Sequence, residues 1–289
     1  MKRTLTALGV LALGLALTLA TAAPGLAASK GTVKLAYVEW DCATASTNTI
    51  AEVLRQMGYD VDILPVAAAA MWQAVGSGDV DGMVTAWLPV THADYLAKVK
   101  DHVEDLGPIT GGAKLGWAVP AYVTADSIAD LNQYKDQFGG RIIGIDPGAG
   151  LMKLSEQAIK DYGLDYELME GSGATMTAAL ADAIKNKKWV VVTAWSPHWM
   201  FGRWDLKYLA DPKGVLGAEE HIDTIVRQGL KADMPEVYGV LDRFAWKDAG
   251  QLQMVMAWNQ EKGATPEAGA KRFIKENPEQ VKYWMTGKK

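Results

Sequence analysis

The chain has 289 residues, 49% of them hydrophobic and 22% charged, with one cysteine and a formal net charge of −5 at pH 7. That composition holds ample apolar material for a core and excludes a disordered, collagenous or disulfide-stapled chain. The acidic balance leaves no footprint for nucleic acid, and a single thiol excludes a thiolate-rich metal site.

Lys2 and Arg3 precede an apolar run from Leu8 to Ala20 and a stretch of small residues ending at Ala28. This is the layout of a secretory signal peptide over 1–28, with cleavage expected after Ala27 or Ala28. Cys42 follows Val38-Glu39-Trp40-Asp41, which is no lipobox, so a lipid anchor there is not expected. No later run approaches the roughly 20 apolar residues that span a bilayer. The expected product is exported, soluble and periplasmic.

An alternating strand around Val33, Leu35 and Tyr37 comes first. The capping-box pattern Thr49-Ile50-Ala51-Glu52 then predicts a helix start, with Ile50, Val53, Leu54 and Met57 apolar and Gly58 as the stop. A strand over Tyr59–Val66, a helix around Met71 and a strand over Gly82–Ala86 follow, running into Thr85-Ala86-Trp87-Leu88-Pro89. The same plan recurs later: strand Arg141–Ile145, loop Asp146-Pro147-Gly148-Ala149-Gly150, and a helix from Leu151 stopped by Gly163. It continues as strand Asp165–Met169, helix Ala174–Lys185 and strand Trp189–Thr193, ending in Thr193-Ala194-Trp195-Ser196-Pro197. The two Thr-Ala-Trp-x-Pro pieces and the two first strands share one offset, so the chain reads as two copies of one unit.

Strands alternating with helices predict an α/β protein with mostly parallel sheets, and two copies predict two lobes with a ligand in the cleft between them. The expected limits are 29–118 for the first lobe, 119–222 for the second, and 223–289 for the return. The crossovers are expected near Trp117–Tyr122 and His221–Leu230, with a helical tail from Met234 packing on the first lobe.

Eleven tryptophans against four phenylalanines need a reason. Trp87 and Trp195 end strands and Trp40 follows one, which places three indoles at the cleft. Indole faces there suit a sugar or a quaternary ammonium cation. Few Asn, Gln or Arg flank these rings, which favours the cation, held at roughly 0.5–2 kcal/mol per ring. Gly148-Ala149-Gly150 opens a helix directly after a strand, an arrangement suited to one carboxylate. His92, just past Trp87, can add a side-chain N–H. A cation cage beside a carboxylate site describes a zwitterion, a betaine. The plainer readings are core packing for each tryptophan (Trp199 and the other seven included), a loop histidine at 92, a small buried Cys42, and an ordinary helix start at Gly171-Ser172-Gly173.

Tyr37-Val38-Glu39-Trp40-Asp41, Ala86-Trp87-Leu88-Pro89-Val90-Thr91-His92, Gly144 to Gly150 and Thr193 to Phe201 together resemble the glycine betaine/proline betaine-binding proteins of ABC transporters. The resemblance implies a type II-like periplasmic-binding-protein fold. It implies a tryptophan prism of Trp40, Trp87 and Trp195 around the ammonium. The carboxylate would be held by the backbone amides of Gly150 and Leu151 and by His92. Leu151 stands where the family more often has isoleucine, a change that a backbone donor tolerates. Cys42-Ala43-Thr44 is a variable stretch close to the cage. The implied partners are a betaine and a membrane permease with its ATPase; a monomer is expected, and no cofactor or metal. Choline, carnitine and other betaines are the rival ligands. An exported enzyme on such compounds finds no nucleophile elbow, metal cluster or cofactor fingerprint here, and an interaction scaffold would bind no small cation.

Overall fold

The protein is described by a computed structural model over residues 29–288; the expected signal peptide, 1–28, lies outside the described residues. β1 (Thr32–Tyr37), α1 (Asp41–Gln56), β2 (Asp60–Pro65), α2 (Ala68–Ser77), β3 (Gly82–Leu88) and α3 (Ala93–Val99) lead into an 18-residue strand, β4 (Val103–Pro120). After a 3-10 turn come α4 (Lys135–Phe138), β5 (Arg141–Ile143), α5 (Gly150–Tyr162), β6 (Glu167–Met169), α6 (Gly173–Lys185), β7 (Val191–Ser196), α7 (Met200–Arg203) and β8 (Leu206–Tyr208). β9 (Glu220–Arg227) precedes a helical tail of α8 (Leu230–Asp233), α9 (Pro235–Arg243), α10 (Ala249–Asn259), α11 (Pro266–Glu276) and α12 (Pro278–Thr286).

The strands run in the order β2-β1-β3-β9-β4-β7-β5-β6, with β8 on β4. β1 pairs in parallel with β2 and β3, and β5 in parallel with β6 and β7, so each copy of the repeat keeps its parallel centre. The expectation of mostly parallel sheets is nevertheless corrected. β9 is antiparallel to β3 and β4, and β4 is antiparallel to β7 and β8. These added strands are the connections between the copies, outside the repeat that suggested the parallel pattern.

β4 changes partner along its length. It pairs with β9 over Val103–Ala113 and with β7 over Lys114–Ala118, with breaks in register next to Gly111 and Gly112. Gly112 has φ +70°, a value open to glycine and strained for other residues. β4 thus passes from one set of partners to the other ahead of Trp117, and β9 rejoins β3 and β4 from Glu220 onward. Trp117 is packed in the second lobe, where its Nε1 donates to Ser155 Oγ at 2.9 Å.

α1 begins at Asp41, well before the expected start at Thr49. Thr49 lies inside the helix and its Oγ1 donates to the Ala45 carbonyl at 2.8 Å, so the capping-box reading is corrected. The apolar stripe misled because α1 is buried almost continuously from Cys42 to Leu54, between the sheet and helices α10 and α11, and small or polar residues fill its other faces. The Gly171-Ser172-Gly173 segment is the plain helix start: Ser172 Oγ accepts the Thr175 N–H at 3.2 Å and Thr175 Oγ1 accepts the Ser172 N–H at 2.7 Å.

The helical tail packs on α1 and explains part of the tryptophan excess. Trp246, Trp284, Phe244 and Phe273 form one aromatic cluster, with Phe273 stacked on Trp284 at 5.7 Å. Each such ring removes about 150–250 Å² from water. Trp189 packs on Phe138 at 5.2 Å in the second lobe. Among the described residues no helix is long and apolar enough to cross a membrane.

Candidate functional site

The carboxyl ends of β1, β3, β5 and β7 converge where the lobes meet. Trp40 caps the start of α1, directly after β1. Trp87 and Trp195 are the penultimate residues of β3 and β7 rather than residues beyond the strands. Each is followed by a cis X-Pro bond, Leu88–Pro89 and Ser196–Pro197, so the repeated Thr-Ala-Trp-x-Pro pieces share backbone as well as sequence. The first turns the chain toward Thr91 and His92, and the loop from Asp146 to Ala149 turns it into α5.

These elements line one apolar cavity. All six residues singled out in the sequence line it: Trp40, Trp87, Trp195, His92, Gly150 and Leu151. The indoles are 6%, 3% and 3% exposed in that order. Cys42, Thr91, Leu115, Ile145 and Ala149 complete the wall, and none of the lining side chains carries a formal charge. Gly150 and Leu151 are the first residues of α5, so their N–H groups precede the helix's own hydrogen-bond ladder.

His92 is 1% exposed. Its Nδ1 accepts the Trp87 N–H at 3.1 Å, which puts the ring proton on Nε2, and Nε2 is buried without a protein partner. Burial pushes its pKa down to about 3. It is therefore a neutral, single donor at ordinary pH. Cys42 is fixed in the opposite sense: burial, reinforced by the nearby Asp41 charge, pushes its thiol up to about 12, so it stays protonated. Cys42 is small and buried, as expected, but it also forms part of the cavity wall.

The lobes touch around this cavity. A Cβ on Gly150 would lie 2.4 Å from the Thr91 carbonyl oxygen, so only glycine allows the approach. Trp40 Nε1 donates to Asp146 Oδ1 at 2.8 Å and Tyr95 Oη to the Gly148 carbonyl at 2.6 Å, while Lys153 pairs with Asp94.

Sequence reasoning missed Glu220. This buried residue opens β9 and holds the loop after β3: Oε1 accepts the Val90 and Thr91 N–H groups at 2.7 and 2.9 Å, and Oε2 accepts Thr91 Oγ1–H. No sequence signal links a lone glutamate to a loop so distant along the chain. Trp199 lies outside the cavity wall, against His198 at 5.4 Å and Trp204 at 5.3 Å. Among the described residues no cluster could hold a metal ion.

Residues 31–276 match the family model described as the substrate binding domain of ABC-type glycine betaine transport systems. The chain is 47% identical over 165 residues to the glycine betaine/carnitine transport binding protein GbuC of Listeria monocytogenes, a match covering 56% of this chain and 53% of that protein. The match thus spans about half the length of that curated relative. Among solved structures, lactococcal OpuAC in its closed-liganded conformation with glycine betaine superimposes with a TM-score of 0.84 at 44% identity, over 89% of this chain and 100% of that one. An ABC-transporter choline binding protein in complex with choline gives 0.81 at 26% identity, over 89% and 92%.

Proposed function

The chain belongs to the family of substrate-binding domains of ABC-type glycine betaine transport systems, and on that premise we propose that it is an exported receptor that captures glycine betaine and delivers it to an ABC importer. In this reading Trp40, Trp87 and Trp195 surround the trimethylammonium group. The amides of Gly150 and Leu151, at the positive end of α5, and His92 Nε2–H hold the carboxylate. The protein binds and releases rather than transforms. Its membrane partner is a permease with its ATPase, and it works as a monomer in the periplasm after loss of residues 1–28. Hinge closure would bring together lobes divided close to 29–118 with 223–289, and 119–222. The crossings would follow the change of partner within β4 and the start of β9.

The observation that carries this reading is the convergence of all six expected residues on one uncharged cavity between the lobes. A permanently charged ammonium donates no N–H, so the π faces hold it, while the ligand's own carboxylate meets neutral donors. Choline is the second reading, favoured by the likeness to the choline-binding structure. It lacks a carboxylate and would offer a single hydroxyl oxygen to the three donors of the site, the Gly150 and Leu151 amides and the buried His92 Nε2–H.

Tryptophan fluorescence of residues 29–289, titrated separately with glycine betaine, choline, carnitine and proline betaine, tests the reading. A saturating response to glycine betaine and none to choline is expected. A response to choline alone removes the carboxylate assignment, and silence toward all four from a folded protein sinks the reading.

The same titration has a defined pH dependence. Because the pKa of His92 is pushed down to about 3, no charge change occurs there between pH 5 and 8, and affinity is expected to be flat across that range. A tenfold change centred near the ordinary histidine value, about 6.5, that persists in His198→Gln would show that His92 titrates in the site.

A further inference from the structure

Two contacts across the cleft start from neighbouring residues at the head of α1, and each bears on one indole of the cavity. Trp40, on the first lobe, donates its Nε1–H to Asp146 Oδ1, on the second, at 2.8 Å. Asp41, the next residue, places Oδ2 3.2 Å from Nε2 of His198 on the second lobe. His198 Nδ1 accepts the Met200 N–H at 3.1 Å, so its proton sits on Nε2, the atom beside Asp41. The contact with Asp41 is close without the alignment of a full hydrogen bond, and Nε2 has no other partner. The His198 ring is fully buried and meets Trp195 edge-on, with centroids 4.5 Å apart. Each lobe thus holds a group that orients the other lobe's indole: Asp146 for Trp40, and Asp41, through His198, for Trp195.

We propose that Asp146 and His198 are positioning residues that form the closing latch of this receptor, so that the cage takes its final shape only when the lobes meet. For its ligand the inference rests on the betaine reading above; for the latch it rests on the contacts themselves. The Lys153–Asp94 pair at the rim has side chains 72% and 70% exposed and is screened by solvent. The latch groups lie deeper: His198 is fully buried and the Trp40–Asp146 contact is partly so. Opening the cleft strips the Trp40 N–H and the His198 Nε2–H of these partners. The latch does not exist in the separated lobes, so it acts on release and leaves the encounter rate unchanged.

Stopped-flow tryptophan fluorescence with glycine betaine, on the wild type and on Asp146→Ala, Asp146→Asn, His198→Ala and His198→Gln, tests this. Each alanine variant is expected to raise the dissociation rate about tenfold to a hundredfold, with the association rate within about twofold of wild type. Asp146→Asn keeps an acceptor and His198→Gln keeps a donor, so both recover most of the loss. Unchanged dissociation in the alanine variants, or a loss confined to association, overturns the latch. Should His198→Ala fail to fold, the glutamine variant and the two at the partly exposed Asp146 still decide. A wild type silent to glycine betaine removes the ligand reading instead. The latch is then decided in the ligand-free protein by distances between spin labels on the two lobes. Longer distances in the Asp146→Ala/His198→Ala double variant than in wild type uphold it, and identical distributions overturn it.

Discussion

Replacing Trp195 with alanine is expected to weaken glycine betaine binding by about 1–3 kcal/mol, roughly 5- to 150-fold in Kd. The ring is 3% exposed and forms one wall of a cavity whose other side chains bring no charge to bear on a cation. Its removal takes away one ring's share of the cation–π attraction and lets water reach an ammonium group that the remaining indoles cover only in part. Isothermal calorimetry on the purified variant reads the change, and a thermal melt separates it from unfolding. Trp189→Phe is the matched control, since Trp189 packs on Phe138 at 5.2 Å, away from the cavity, and should leave Kd unaltered. Wild-type affinity in Trp195→Ala would refute its place in the cage.

A larger effect per atom is expected from Gly150→Ala. The added methyl would sit 2.4 Å from the Thr91 carbonyl oxygen and 2.5 Å from its Cγ2, atoms that belong to the opposite lobe. Backbone cannot yield as a flexible side chain can, so the closed arrangement is opposed by overpacking worth about 1–3 kcal/mol or more, at least about fivefold in Kd. In separated lobes these contacts with Thr91 are gone, and alanine suits the first turn of α5 better than glycine by up to about 1 kcal/mol. The expected signature is therefore weakened binding with an undiminished melting temperature in the free protein. A variant that binds as wild type would show that the approach of Gly150 to Thr91 is dispensable for closure; one that melts early would show that the clash acts on the fold.

Much of the cavity wall was legible in the sequence because its residues sit at the ends of regular elements in a repeated unit. Trp87, Trp195 and the Gly148–Gly150 loop could be placed at strand ends from the repeat. Trp40, His92 and Leu151 leaned more on their motifs. The framework was read less well where tertiary partners override local pattern. The eighteen-residue β4 was missed because it carries two neighbours in succession, so its alternation changes face on the way. The start of α1 was displaced because burial on several sides erases the one-sided stripe that marks a surface helix. Glu220, Asp146 and His198 were illegible in their roles for a simpler reason: each meets partners that the fold brings from the other lobe or from a distant loop, and no spacing along the chain encodes that meeting.

The place of β9 in the sheet also dictates an order of assembly. It lies between β3 and β4, so the first lobe's sheet has a gap until residues 220–227 have been made. The aromatic cluster of Trp246, Phe273 and Trp284 arrives later still. Strands β5 to β8, by contrast, follow in one unbroken stretch after the latter half of β4, on which β7 and β8 pair. A chain emerging amino end first can therefore complete its second lobe while the first remains an open set of strands and helices awaiting its centre. Such late, long-range pairing is slow to form. The polypeptide that begins the fold is the last part of it to become rigid.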